Sequence, residues 1–140
     1  MYLRLGSKAV ARGVTAVLIA CSLASCGREG RAVTVSWSIT PTPPMVGGET
    51  LVGLRLRDAE GKPVSRARLQ LEAHMSHPGM TPVTADVVEQ SAGAYEARVR
   101  LPMTGDWRFV VAGTLADGSR ITHDTPVPGV RAAATPGGGS

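Results

Sequence analysis

Seven consecutive residues, His74-Met75-Ser76-His77-Pro78-Gly79-Met80, hold two of the three histidines and two of the five methionines in a chain of 140 residues. Imidazole nitrogen beside thioether sulfur is a soft donor set, and copper, above all Cu(I), prefers such donors. The spacing is not the fixed Cys/His pattern of a structural zinc site, and the segment holds no thiolate. Pro78-Gly79 supplies a turn that can fold the donors inward. Met103, just before Thr104-Gly105, becomes a further thioether if its loop lies at the same end of the fold, and Met45, after Pro43-Pro44, is a weaker candidate. Each residue also has an ordinary role open to it. Met75 and Met103, taken singly, suit gaps in a core, because Met fills irregular spaces well. His74 and His77 suit a solvated loop, and His123 is expected at the surface.

The elements that must position these donors are strands, since period-two alternation recurs along the chain and helical periodicity does not. Val33, Val35, Trp37 and Ile39 alternate with Thr34, Ser36, Ser38 and Thr40, and Val52, Leu54 and Leu56 alternate with Gly53, Arg55 and Arg57. Two more such strands run from Ala67 to His74 and from Tyr95 to Leu101. Pro82 to Val88 and Ile121 to Val127 carry weaker patterns, and Trp107 to Leu115 is apolar on both faces, as a central strand would be. Gly47-Gly48, Glu60-Gly61-Lys62-Pro63, Gly93, Gly105-Asp106 and Asp117-Gly118 separate them as turns, with Gly61 and Gly105 suited to positive φ. About seven short strands in this arrangement predict an all-β domain, a single immunoglobulin-like antiparallel β-sandwich.

Strand parity constrains the donors. If the strand from Ala67 runs straight to Met75, Met75 shares the inward face of Leu69 and Leu71, while His74 shares the outward face of Glu72. Both can reach one ion only if the strand ends or bulges near Ala73.

The N-terminal residues specify a compartment. Arg4, Lys8 and Arg12 precede an apolar run beginning at Val14, and Leu23-Ala24-Ser25-Cys26 followed by Gly27 has the form of a bacterial lipobox. Leu18-Ile19-Ala20-Cys21 fits the same pattern but would leave a short apolar region, so Cys26 is the expected lipidation site. The apolar run is shorter than the roughly 20 residues that span a bilayer. Residues 1–25 are thus expected to be a lipoprotein signal peptide, 26–31 a lipid-anchored tether, 32–128 the sandwich, and 129–140 a disordered Gly-rich tail. This places the domain in the cell envelope, extracytoplasmic and held to the membrane by lipid on Cys26, on the periplasmic side if the cell has two membranes. Loss of Arg4, Lys8 and Arg12 with the signal lowers the formal charge from +4 to +1, which leaves no electrostatic footprint for nucleic acid.

No enzyme is expected: the chain has no catalytic cysteine, no serine in a nucleophile elbow and no Gly-rich phosphate loop. Asp86, Asp106 and Asp124 have no spacing that pairs them with His74 or His77.

The segment Gly61-Lys62-Pro63-Val64-Ser65-Arg66-Ala67 resembles a "Gly-Lys-Pro-Val-x-x-Ala" stretch of the YtkA-like/FixH-like group of small extracytoplasmic β-domains. Gly93-Ala94-Tyr95 and Leu101-Pro102-Met103-Thr104-Gly105-Asp106-Trp107 resemble two further motifs of that group, and the likeness covers roughly Val33 to Val127. It implies a β-sandwich that handles copper in the envelope, with a copper-transfer, efflux or oxidase-assembly protein as partner. Relatives carry repeated Met-Pro or Met-His pairs where this chain has Met75, His77 and Met80 around His74. Two functions follow as expectations. One is Cu(I) binding through His74, Met75, His77, Met80 and Met103; the alternative is a metal-free module that binds another envelope protein and uses its methionines as core.

Overall fold

Alternation of apolar and polar side chains sets the strands, and a computed structural model describes residues 31–134. The proposed signal peptide, Cys21, Cys26 and the end of the Gly-rich tail lie outside these residues. Seven strands follow in order: β1 (Val33–Thr40), β2 (Glu49–Asp58), β3 (Arg68–Met75), β4 (Val83–Ser91), β5 (Ala94–Arg100), β6 (Gly105–Thr114) and β7 (Arg120–Val130). All neighbouring strands pair antiparallel, in the order β1-β2-β5-β4-β3-β6-β7. β4 divides its partners along its length: Val83 to Asp86 pair with β3, and Val87 to Ser91 pair with β5. The ladder therefore turns from one layer into the other at β4, giving the expected immunoglobulin-like sandwich.

The core is the set of inward positions. Val52, Leu54 and Leu56 of β2 and Tyr95, Ala97 and Val99 of β5 meet Leu69, Leu71 and Ala73 of β3 and Trp107, Phe109 and Val111 of β6, all buried. Each strand contributes every second residue, as two packed sheets require. β6 lies between β3 and β7, and Val110 and Ala112 on its outer side are half-buried, which accounts for its two apolar faces.

Two boundaries differ from the sequence expectation. β7 continues to Val130, which is buried, and Arg131 exchanges backbone hydrogen bonds with the β1–β2 connection through Pro44 and Val46. The folded domain thus ends at Arg131 instead of residue 128, because these contacts come from a segment more than 80 positions earlier. At the other end Arg31, placed in the tether, donates to the Asp58 carboxylate at 2.8 Å. His123 also departs from expectation. It pairs opposite buried Val111 and is half-buried, since directly paired residues share a face of the sheet.

Asp58 organises the β2–β3 turn. Its Oδ1 accepts the backbone N–H of Lys62 at 2.9 Å and of Glu60 at 3.1 Å, and Gly61 between them has φ of 79°. The Lys62 N–H, then that of Glu60 and the Arg31 guanidinium, hold the Asp58 carboxyl below the ordinary 3.8. A lowered folded-state pKa means stability that is present above the unfolded value and lost as pH falls through the folded one. Asp58→Asn is therefore expected to lower the urea midpoint at pH 7 and to flatten its decline below pH 3.8, in a denaturation series from pH 7 to pH 2.

Candidate metal centre

Antiparallel order puts the connections β1–β2, β3–β4 and β5–β6 at one end of the sandwich, together with the end of β7. Hydrogen bonds draw them against each other there. Gly47 N–H donates to Leu101 O at 3.0 Å, joining the first connection to the third, and Ser76 N–H donates to Asp106 O at 3.0 Å, joining the second to the start of β6. Asp106 also accepts Gly129 N–H at its Oδ1, 2.9 Å away, where β7 bulges against β6. One aspartate, whose sequence spacing suggests no catalytic pairing, thus holds three segments of this pole.

The methionines follow from that arrangement. Met75 is the last residue of β3, pairs opposite Trp107, and is half-buried against the core. A Cβ at Gly105 would lie 3.2 Å from the Met75 methyl, so this thioether ends against the β5–β6 turn. Met103 sits in that turn, where its carbonyl accepts the Trp107 indole N–H at 3.1 Å. Backbone and side chain are thereby given different tasks: the carbonyl anchors the core tryptophan, and the residue is left 43% exposed. Met80 in the β3–β4 connection is 42% exposed and Met45 in the β1–β2 connection 36%. Of the four large hydrophobic residues exposed among the described residues, three are therefore methionines on this pole. A core role fits Met75 and does not fit Met103.

The histidines separate. β3 keeps a regular register with β6 from Arg68 through Met75, so the break near Ala73 that would let His74 and Met75 share an ion does not occur. His74 faces outward with Glu72, and its Nε2 donates to the Glu72 carboxylate at 2.9 Å. His77 lies exposed in the β3–β4 connection, on the methionine pole. No group of three or more His, Cys, Asp or Glu is placed to hold a metal ion among the described residues. What the pole can offer a cation is soft: exposed thioethers with the imidazole of His77.

The family model described as YtkA-like matches residues 31–112, more than half of the chain. The chain belongs to the YtkA-like family. The match takes in the strands from β1 to most of β6 and the three connections that carry Met45, His77, Met80 and Met103. Among solved structures, this YtkA-like domain is similar to the Lin-41 filamin domain, with a TM-score of 0.52 and 15% identity, over 76% of this chain and 100% of that one. That likeness is one of fold. Murine CRIg matches with a TM-score of 0.40 and 14% identity over 71% of this chain and 98% of its own, and MtrC from Shewanella baltica with 0.45 and 11% over 79% and 24%. No curated protein matches the chain.

Proposed function

We propose that this YtkA-like domain is a lipid-anchored extracytoplasmic protein that binds copper as Cu(I) and buffers it or passes it to a partner protein. The observation that carries this reading is the exposure of Met45, Met80 and Met103 on three separate connections of one pole. Met belongs in the interior on hydrophobic grounds, so thioethers held at the surface by loops call for a use, and a soft monovalent cation is the ligand their chemistry favours. His77 adds a borderline nitrogen donor beside them. Neutral thioethers bind weakly one at a time and carry no proton. A partner's ligands can therefore replace them in sequence, without the proton exchange that thiolate ligands impose. Lipid on Cys26 would keep this exchange at the envelope membrane, near an efflux or oxidase-assembly partner. Catalysis has no part in this reading.

A surface of flexible methionines also suits protein docking, and this is the second reading. Titration of residues 27–140 with Cu(I) against a competing chelator separates the two. One equivalent is expected, retained in His74→Ala, whose ring is turned to the outer sheet face, and lost in His77→Ala/Met80→Ala with the circular dichroism unchanged. Absence of binding by the wild-type domain would leave protein docking as the function of the pole.

A further inference from the structure

The opposite pole has a different chemistry. It is formed by the β2–β3, β4–β5 and β6–β7 connections and by the start of β1, where the described chain begins at Arg31. Arg57, Lys62, Arg66, Arg68 and Arg120 are all exposed there, and none forms a close ion pair with a carboxylate among the described residues, although the charge of Arg66 acts on Glu89. Arg68 and Arg120 both pair with Thr114, so they flank one position of β6 on the same sheet face. At the adjoining turn Arg66 has a positive φ, 59°, alone of the non-glycine residues among those described. It lines two neighbouring hollows, one of about 330 Å³ with Arg68, Leu115 and Ala116, and one of about 250 Å³ with Arg31.

The acidic residues of this pole are engaged with backbone. Asp58 accepts from Glu60 and Lys62 as well as from Arg31, Glu89 accepts the N–H groups of Arg66 and Gly93, and Asp117 accepts the N–H and hydroxyl of Ser119. Counting Glu60, exposed in the same turn, the pole has six cations, Arg31 included, against four carboxylates, an excess of two. The carboxylates thus shape the turns, as does Arg57, whose guanidinium donates to Gly61 O at 2.9 Å, and the cations lie exposed at the surface. The methionine pole has a smaller excess: Arg98 and Arg108 are paired with Glu49 and Asp124, and Arg100 and Arg131 stand against Asp106.

We propose that this basic pole is a docking surface for an anionic phospholipid bilayer, with Arg57, Lys62, Arg66, Arg68 and Arg120 meeting headgroup phosphates. The choice of a bilayer comes from charge complementarity and from Arg31, which leaves this pole five residues after Cys26; it therefore shares the lipidation reading above and is independent of the copper reading. Docked in this way, the sandwich stands on end. Its methionine pole faces away from the membrane by the length of a strand, and copper exchange takes place with a partner that reaches that far.

The core and all seven strands lie between residues 31 and 131, so the chain from Gly27 retains the whole domain. That lipid-free chain is sedimented with vesicles of equal parts phosphatidylglycerol and phosphatidylcholine, and with phosphatidylcholine alone, at low salt. Binding is expected to the anionic vesicles only and to fall as salt is raised. Arg66→Gln/Arg68→Gln should weaken it about 25-fold, at roughly fivefold per cation. Arg100→Gln/Arg131→Gln removes the same charge from the other pole and should leave it nearly unchanged. No binding to anionic vesicles, or equal loss in both variants, would overturn the proposal. Either result leaves lipidation of Cys26 to be read separately, from the mass of the native chain, and Cu(I) titration of the Arg66/Arg68 variant keeps the two poles distinguishable.

Discussion

Exchange of Met80 and Met103 together for leucine should lower Cu(I) affinity by at least about 100-fold and leave the urea midpoint of the domain within error of wild type. Leucine keeps the bulk and apolarity of methionine and removes the soft donor, so the two readouts separate ligation from packing. Loss of an outer-shell partner already costs a metal site about 10- to 100-fold, and two directly ligating sulfurs should count for more. Stability should be insensitive because both residues are more than 40% exposed, and substitutions at such positions usually stay within about 0.5 kcal/mol. Met75 provides the contrast. It is half-buried against the core, so Met75→Ala is expected to lower stability by about 2 kcal/mol. Competition titration and denaturation on the same preparations give both results. Undiminished affinity in the Met80/Met103 variant would remove the thioether pole as the copper site.

Gly113→Ala should destabilise the domain by about 3 kcal/mol or more, the upper range for forced overpacking. Gly113 of β6 pairs with Leu69 of β3. A Cβ there would fall 1.9 Å from Arg68 O and 2.9 Å from both Arg68 C and Leu69 Cα. All three are backbone atoms, so no rotamer change relieves the overlap, and β3 would have to move away from β6. That movement would disturb the pairing that also sets Met75 against Trp107. Gly61→Ala is the useful control: Gly61 has φ of 79°, and a Cβ added to it would meet nothing within 4 Å, so only the backbone cost of about 1 kcal/mol applies. Equal urea midpoints for the two variants would contradict the close approach at Gly113.

Much of the fold was legible because a half-buried strand must alternate. The patterns at Val33 to Ile39, Val52 to Leu56, Leu69 to Ala73 and Tyr95 to Val99 reappear as β1, β2, β3 and β5 with the same residues facing the core. The weaker patterns at Pro82 to Val88 and Ile121 to Val127 reappear as β4 and β7. They were weak for identifiable reasons. β4 changes sheets partway and β7 is an edge strand, so neither has one face uniformly buried. Prolines at 126 and 128 further obscure β7, in positions an edge strand tolerates.

By itself the sequence determined the alternation, the turn residues and the soft donors, all of which are properties of neighbours along the chain. It also contained the parity that sets His74 opposite to Met75. Whether the strand breaks near Ala73 was decided by the regular pairing of β3 with β6 across more than 30 residues. The same holds for the membership of the methionine pole. Met45, Met80 and Met103 are separated by at least 23 positions, and only antiparallel closure, with the hydrogen bonds of Gly47 and Ser76, brings their connections to one end. Gly113 reads as an ordinary glycine until Arg68 is laid beside it. Long-range register has no local signature, because it is set by which faces can be buried together. The sequence therefore carried the soft donors, and tertiary packing decided which of their connections lie at one end of the sandwich.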